Sequence, residues 1–354
     1  MHFTQLLACQ QAGTIDREAL AAFGEDWARE NQRKLSNKTA KNRRVILDRL
    51  LWFLDDKGLT RCGVDELDAF LDYLRYGHTD PRGRWGNPRW TKPVRPQTEL
   101  TYYSCLRALF YDLVEESYLT ESPFKSPRLK PPDNVQDEIE PFKEDEVRDQ
   151  LRAAGETRHA SRDRAILLLL YDTGIRASEL CDLTLKYVDF THGEINVLGK
   201  GNKRRSVPIS DDTAHALWNY LYEDSNRKPS LRQLRRGGLD PAAIPHPRKN
   251  DEAVFRSDRG VGAGDALTPN GLLQLVERIG RAASVTKRCS PHSWRHTFAV
   301  TFLRNGGNVF SLQKMLGHTS LVVTRRYVAL AEADIARQHE MYSPVAALNG
   351  KGRR

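Results

Sequence analysis

The segment Ser290–Val300, "SPHSWRHTFAV", combines the start of a helix with a cluster of cationic side chains. Ser290 suits the N-cap and Pro291 suits the first helical position, so a helix is predicted over 290–305. At 100° per residue, basic and aromatic side chains fall on different faces of that helix. The basic side chains are His292, Arg295 and His296, and the aromatic ones are Trp294, Phe298 and Phe302. We therefore expect an amphipathic helix with its aromatic face in the core.

Two histidines four residues apart on a helix also suit a metal ion. A zinc hydrolase with this spacing carries a glutamate after the first histidine and needs a third ligand. Here Ser293 follows His292, and Arg295 on the same face repels a divalent cation. The planar guanidinium group matches the oxygens of a phosphate. The cluster therefore favours an anion as its ligand, and no metal is expected.

The composition limits the class of protein. The 354 residues carry a formal net charge of +9, which suits a polyanion such as DNA or RNA, although solubility alone also accounts for it. No apolar run is long enough to span a membrane, and the N-terminus lacks the charged start of a signal peptide. The five cysteines are scattered and odd in number, which indicates free thiols in a reducing compartment. We therefore expect a cytoplasmic protein.

A proline-rich segment without periodicity, 121–141, divides the chain. Four helices are predicted before it, over 17–32, from Ser36 to about Gly58, and over 64–76 and 97–119. The expected organisation is a helical domain, a linker, a second domain and a basic tail. Their boundaries are 1–121, 122–141, 142–345 and 346–354.

Beyond the linker the pattern becomes mixed. Residues 193–210 indicate two short strands around a glycine-flanked turn. The other elements are helices, which gives a fold class of mainly α with a small antiparallel β-sheet. They are predicted over 143–154, 161–174, 211–223, 268–283, 290–305, 308–316 and 332–341. Two basic insertions, 77–96 and 225–250, interrupt the pattern, and the first is expected to be a loop or small hairpin.

Two further positions suit chemistry on a phosphate. Arg176 opens a helix, and Glu179 is placed to orient it, although the spacing alone favours an ordinary i,i+3 ion pair. Lys200, in the glycine-flanked turn, has an exposed ammonium that is able to protonate a leaving oxygen. Basic turns are common, so this lysine alone decides nothing.

The segment "LGHTSLVVTRRYV" adds His318 and, nine residues later, Tyr327. Tyrosine is a poor nucleophile at neutral pH, because ionising a group with a pKa near 10 costs about 4 kcal/mol. It therefore needs a base or strong cationic stabilisation. For a lone tyrosine in an amphipathic helix, packing is the simpler role.

Basic residues outside these motifs are candidates for DNA contact. They cluster in the first half of the second predicted helix and just after the turn at 200. Such side chains hold phosphates, or they form a solvated face. The candidates are Lys38, Lys41, Arg43, Arg44, Lys203 and Arg204.

The order and spacing of these motifs together resemble the tyrosine recombinases, the phage integrase family. The resemblance rests on "TGIRASEL", "GKGNKRRSVPI", "PHSWRHTFAV" and "LGHTSLVVTRRYV", which span nearly all of the second domain. It implies a SAM-like four-helix core-DNA-binding domain before an α+β catalytic domain. The matching residues are Arg176, Lys200, His292, Arg295, His318 and Tyr327.

The resemblance implies a mechanism without cofactor or metal. Tyr327 attacks a scissile phosphate and forms a 3′-phosphotyrosine, releasing a 5′-hydroxyl. Lys200 acts as the acid for the leaving oxygen, and His292 as general base or proton carrier. Arg176, Arg295 and His318 stabilise the phosphate, and Glu179 and His296 are supporting residues.

The family also implies partners. It predicts a double-stranded recombination site and a homotetramer on two duplexes, joined by exchange of C-terminal tails, in a nucleoid-associated enzyme. Integration, excision or resolution of a mobile element is the expected role. The alternatives are a type IB topoisomerase-like relaxing enzyme, a chromosome or plasmid dimer resolvase, a DNA-binding protein with a relic site, and a metal-dependent hydrolase.

Overall fold

The structure is a computed structural model, and most of the chain is described in it. The described residues are 13–77, 81–133, 140–199, 203–222, 249, 251–258, 264–317, 321–331, 339 and 345. Within them, no helix is long and apolar enough to cross a membrane. The chain forms two compact units, Met1–Asp137 and Glu138–Arg354.

Four helices build the first unit: α1 (Arg17–Lys34), α2 (Asn37–Asp56), α3 (Val64–Arg75) and α4 (Pro96–Glu115). The hydroxyl of Ser36 accepts a hydrogen bond from the backbone N–H of Thr39 and so caps α2. The apolar stripes of the helices meet in one core, where side chains such as Leu50, Phe70 and Leu106 are fully buried. Two short antiparallel strands, β1 (Ile15–Asp16) and β2 (Arg61–Cys62), join the ends of this bundle.

The first basic insertion, where it is described, is a loop fixed to this bundle. Trp85 packs among the aromatic rings of the core, and its backbone N–H donates to the hydroxyl of Tyr73. The guanidinium of Arg49 lies 5.5 Å from the ring centroid of Trp85 and 5.3 Å from that of Trp90. Cation–π contacts therefore hold both tryptophans against α2. Four basic side chains of the described loop are exposed. Arg82 pairs with Asp56, and the other three are Arg89, Lys92 and Arg95.

The second unit packs helices around a small sheet. Its first helices are α5 (Glu144–Gly155), α6 (Ala160–Thr173) and the short α7 (Ala177–Cys181). Strands β3 (Val188–Asp189), β4 (Glu194–Leu198) and β5 (Arg204–Pro208) follow as an antiparallel sheet in sequence order. The remaining helices are α8 (Asp211–Leu221), α9 (Pro269–Ala282), α10 (Pro291–Arg304), α11 (Val309–Leu316) and α12 (Leu321–Ala331).

The core of this second unit explains the positions of α6 and α10. The nearly all-apolar sequence of α6 is buried along most of its length. Trp294 of α10 is fully buried and packs edge-on against Phe142 and Tyr171. Helix α10 also packs on α12, in a second cluster that contains Phe298 and Tyr327.

The predicted fold class, mainly α with a small antiparallel sheet, is confirmed. Most predicted helices agree with the structure within a few residues. The helix predicted over 332–341 lies outside the described residues except for residue 339, as do nearly all of the insertion 225–250 and the tail 346–354. Tyr327 was expected in a helix, but no bounds were predicted for α12, because Val322, Val323 and Thr324 are β-branched and mask its helical period. Packing on α10 overrides that local preference.

Candidate active site

Arg176 stands between two helices of the second unit. Helix α6 ends at Gly174, whose backbone is left-handed at φ 58°, and Arg176 is the N-cap residue of α7. A Cβ at Gly174 would lie 2.3 Å from Cδ1 of Phe298, so only glycine fits this close approach. The side chain of Arg176 is 39% exposed and is therefore open to a ligand from solvent.

Glu179 is the buried carboxylate beneath this arginine. It accepts hydrogen bonds from Nη1 of Arg176 at 2.8 Å and from the backbone N–H of Arg176 at 2.8 Å. Burial alone raises the pKa of Glu179, but hydrogen bonds from Arg205 and Arg176 outweigh it and hold that pKa below its ordinary value. Glu179 is therefore ionised at neutral pH and orients Arg176.

Arg205 is a site residue that the sequence motifs missed. Its Nη1 and Nη2 donate to the two oxygens of Glu179 at 2.7 and 2.9 Å, and its Nε donates to the carbonyl of Met315 at 2.8 Å. Strand alternation was the available signal, because Arg205 lies two residues before buried Val207 and so shares its face of β5. Unlike Arg205, the neighbouring Arg204 and Lys203 are exposed, and their predicted contact with DNA stays a prediction.

Arg295 is a guanidinium buried at the ends of two helices. It donates from Nη1 to the carbonyl of Gly174 at 2.6 Å and from Nη2 to the carbonyl of Leu316 at 2.7 Å. Those carbonyls lie at the C-terminal ends of α6 and α11, where the helix dipole is negative. Burial, and next the charge of Arg176, lower the pKa of Arg295 to about 10, so this group remains a cation at neutral pH.

Three consecutive carbonyls at the end of α11 collect three arginines. Arg205 donates to Met315, Arg295 to Leu316, and Arg176 to Gly317 at 3.2 Å. The last carbonyls of a helix have no partner within the helix, so they are free to accept such bonds. Helix α11 therefore gathers guanidinium groups from α7, β5 and α10 into one cluster.

Gly317 makes that arrangement sterically feasible. Its backbone is left-handed at φ 63°, and a Cβ there would lie 3.0 Å from Cζ and Nη1 of Arg205. Any side chain would thus press on the guanidinium while straining the backbone. Three guanidinium cations here face one carboxylate, so the cluster stays cationic and suits a phosphate.

Tyr327 is brought to this cluster by α12. Its side chain is buried, with the residue 3% exposed, and its hydroxyl lies 2.9 Å from Nδ1 of His296. Burial raises the pKa of Tyr327, whereas the charges of Arg295 and Arg326 and a hydrogen bond from Arg295 act in the opposite direction. The phenol is thus held neutral between a histidine and a guanidinium.

His292 lies one turn before His296 on α10. The centroids of the two rings are 4.1 Å apart, and His292 is solvent-exposed. Partial desolvation, followed by the charges of Arg295, Arg288 and Arg326, lowers the pKa of His292. This histidine is therefore neutral at neutral pH. The residue in direct contact with the phenol is His296, which was predicted only as a supporting residue.

The remaining predicted positions divide into three groups. Lys200 and His318 lie outside the described residues. Lys38 and Lys41 are exposed at the start of α2. Arg43 and Arg44 are instead engaged within the first unit.

Arg43 donates to the side chain of Asn31 at 2.6 Å and lies 5.2 Å from the ring centroid of Trp27. Arg44 pairs with Glu25 at 2.6 Å and with Asp48 at 2.9 Å. Both guanidinium groups therefore stabilise contacts of α2 within its own unit. Among the residues that the structure describes, no group of three or more His, Cys, Asp or Glu side chains is placed to hold a metal ion.

Comparison with known proteins identifies the family. The family described as "Phage integrase family" matches residues 140–334, more than half of the chain. The chain therefore belongs to the phage integrase family, and the predicted resemblance to the tyrosine recombinases is confirmed.

Two relatives extend this comparison beyond the second unit. The tyrosine recombinase XerC of Anoxybacillus flavithermus is 32% identical over 226 residues, covering 63% of this chain and 68% of that protein. The tyrosine recombinase XerD of Staphylococcus epidermidis is 26% identical over 321 residues, covering 89% of this chain and 95% of that protein. The second alignment includes both units.

A solved structure shares the fold at lower sequence identity. The Tn1549 transposon integrase, in complex with a circular intermediate DNA, has a TM-score of 0.63 and 19% identity. The likeness covers 90% of this chain and 99% of that chain. It supports the fold of a tyrosine recombinase.

Proposed function

We propose that this tyrosine recombinase cleaves and rejoins DNA at specific sites, with Tyr327 as the nucleophile. The observation that carries the proposal is the burial of the Tyr327 hydroxyl between His296 and Arg295, beside a guanidinium cluster. In the proposed step the phenol oxygen attacks the scissile phosphorus, and a 3′-phosphotyrosine forms. The bond from phosphorus to the 5′-oxygen breaks, and a 5′-hydroxyl leaves.

Cationic stabilisation accounts for the reactivity of a neutral phenol. Ionising an ordinary tyrosine at pH 7 costs about 4 kcal/mol, and burial of Tyr327 adds to that cost. A single preorganised donor at an oxyanion typically contributes about 3–4 kcal/mol to the transition state. Arg176 and Arg295, contacting the non-bridging oxygens, are therefore sufficient to offset the ionisation.

The other proposed roles follow from the family motifs. Lys200 protonates the 5′-oxygen, and His318 assists the two arginines at the phosphate. Glu179 and Arg205 hold Arg176 in place through the hydrogen bonds described above. His292 carries protons at the exposed edge of the site.

Exposed basic groups of the first unit are proposed to contact the DNA backbone. Lys38 and Lys41 lie at the start of α2, and the fixed loop presents Arg89, Lys92 and Arg95. Phosphate contacts position a protein on duplex DNA, and each one displaces counterions. Arg43 and Arg44 are removed from this proposed set because of their contacts within the unit.

The proposed assembly has four chains on two duplexes, joined by their C-terminal tails. We place the reaction in the integration, excision or resolution of a mobile element, because the two basic insertions enlarge the chain beyond two minimal domains. A dimer-resolvase role is the second candidate, favoured by the similarity to the proteins named XerC and XerD.

Covalent capture tests the proposed function and identifies the target sequence in the same experiment. The protein is incubated in EDTA with nicked duplexes whose arms are randomised, and DNA that stays attached after denaturation is sequenced. We expect a defined sequence, attached through its 3′ side only. Native mass spectrometry of the captured complex gives its stoichiometry, expected to be four chains and two duplexes.

Tyr327→Phe is the matched control, because it removes one oxygen and keeps the ring that packs on α10. We expect no adduct with this variant at unchanged DNA affinity. An adduct that persists with Tyr327→Phe would exclude this nucleophile. Relaxation of plasmids that lack the captured sequence, without strand exchange, would favour the topoisomerase alternative.

A further inference from the structure

We infer that His296 accepts the phenolic proton of Tyr327 and is therefore a catalytic residue of the cleavage step. This inference rests on the proposed function and refines it. His292, at the first histidine of the motif, was the expected base. The geometry assigns that role to the histidine one turn further along α10.

In the proposed geometry the phenol hydroxyl donates to Nδ1 of His296. A guanidinium only donates, so the hydrogen bond between Arg295 and Tyr327 uses a lone pair of the phenol oxygen. The phenol has a single hydrogen, and Nδ1 of His296 lies 2.9 Å from the oxygen. That distance suits the transfer of a proton to a general base. With the phenol donating, the neutral imidazole carries its own hydrogen on Nε2.

The position of α10 keeps this contact in place. Arg295, the residue before His296, is fixed by the carbonyls of Gly174 and Leu316. On the other side of the ring, His292 packs against His296 at a centroid distance of 4.1 Å, while the centroid of Tyr327 lies 5.5 Å away. His296 thus contacts both the phenol and the exposed histidine.

The proposed step balances without any further reactant. The phenol oxygen forms a bond to phosphorus as its proton passes to Nδ1 of His296. The bond from phosphorus to the 5′-oxygen breaks, and that oxygen takes a proton from the acid, Lys200. In the reverse step the 5′-hydroxyl attacks the phosphotyrosine, and His296 returns the proton to the phenol oxygen.

The charged groups around the pair are known from the contacts of each neighbouring element. They are Arg295 and His292 on α10, Arg326 on α12, and Arg176 with its partner Glu179 on α7. The arginines stay charged and Glu179 stays ionised between pH 5 and 8. A kinetic titration between pH 5 and 8 therefore reports a histidine. Variants at His292, His296 and the proposed His318 identify which one.

His296→Asn is the decisive variant, because its amide oxygen can occupy the position of Nδ1 and accept a hydrogen bond but cannot take a proton. Single-turnover cleavage of the captured duplex is measured from pH 5 to 8. We expect the rate to fall about 10²–10⁴-fold, the usual contribution of a general base. The wild-type rate should level off above the pKa of a histidine, while the variant's rate keeps rising with hydroxide.

A duplex with sulfur in place of the 5′-bridging oxygen separates base from acid. A thiolate leaves without a proton, so the sulfur should restore cleavage by Lys200→Ala. It should not restore His296→Asn, whose defect lies at the nucleophile. Added imidazole should rescue His296→Ala, with thermal unfolding showing that each variant is folded.

Three results would overturn the inference. They are cleavage by His296→Asn within threefold of wild type, its restoration by the bridging sulfur, and rescue by imidazole of His292→Ala but not of His296→Ala. Absence of any covalent adduct with the wild-type protein would instead refute the proposed function itself. The two failures are therefore distinguishable.

Discussion

Replacing Arg205 with methionine tests whether the buried carboxylate of Glu179 depends on this arginine. The change keeps a side chain of similar length and removes three hydrogen bonds, two to Glu179 and one to the carbonyl of Met315. Removing one partner of a buried ion pair typically costs about 3–5 kcal/mol. Since Arg176 still pairs with Glu179, we expect the lower end, about 3 kcal/mol in the free energy of unfolding of the second unit.

That loss should be visible in the melting temperature. For a unit of this size, 1 kcal/mol corresponds to a shift of about 2–4 °C, so Arg205→Met should lower Tm by about 6–12 °C. Arg204→Met is the matched control. Its guanidinium lies on the exposed side of β5, 3.5 Å from the ring centroid of Tyr187. An exposed cation–π contact is worth about 0.5–1 kcal/mol, so this control should shift Tm by only a few degrees.

The pH dependence gives an independent check. The folded protein holds the pKa of Glu179 below its ordinary value of 4.5. This contribution to stability is complete above that value and is lost as the pH falls through the folded pKa. Without Arg205 the pKa of Glu179 should rise, so the stability difference between wild type and Arg205→Met should narrow as the pH falls below about 4.5. Equal losses for the two variants, or a difference that does not change with pH, would refute the reasoning.

Two further predictions concern Gly317 and the loop of the first unit. Gly317→Ala and Gly58→Ala each place a side chain at φ 63°, but only the first presses on Arg205. Both should lose about 1–2 kcal/mol of stability, and Gly317→Ala alone should also slow adduct formation at least tenfold. Replacing the loop residues Arg89, Lys92 and Arg95 with glutamine should weaken the salt dependence of DNA binding. The slope of the log association constant against log salt concentration should become less steep by about 2.7 in total. The slope is measured by fluorescence anisotropy titration of labelled DNA. Arg44→Gln should leave it unchanged, since Arg44 pairs with Glu25.

The helical framework was predictable because its signals are local. Periodic apolar residues, the cap at Ser36 and the glycine at position 174 mark element boundaries in the sequence itself. The two-residue strands β1, β2 and β3 were not predicted, because two residues carry no period. The bounds of helix α12 were not predicted for a different reason, since this helix depends on packing against α10 more than on local helix propensity.

The candidate site was predictable in its composition but not in its contacts. The motif spacing indicated Arg176, Arg295 and Tyr327, and the structure brings these three together. It did not indicate Arg205, whose importance depends on which face of β5 meets α11. It favoured His292 over His296 as the base. Both lie on one helix face, and only the position of α12 decides which ring meets the phenol.

The three carbonyls at the end of α11 also determine when the guanidinium cluster is able to form during synthesis of the chain. Each guanidinium of the cluster is held by the segment Met315 to Gly317, and all three arginines precede this segment in the chain. A chain still emerging from the ribosome therefore has its basic residues but no organised phosphate pocket. Tyr327, the proposed nucleophile, follows only ten residues after Gly317. We therefore expect the guanidinium cluster to form only after residues 315–317 have left the ribosome.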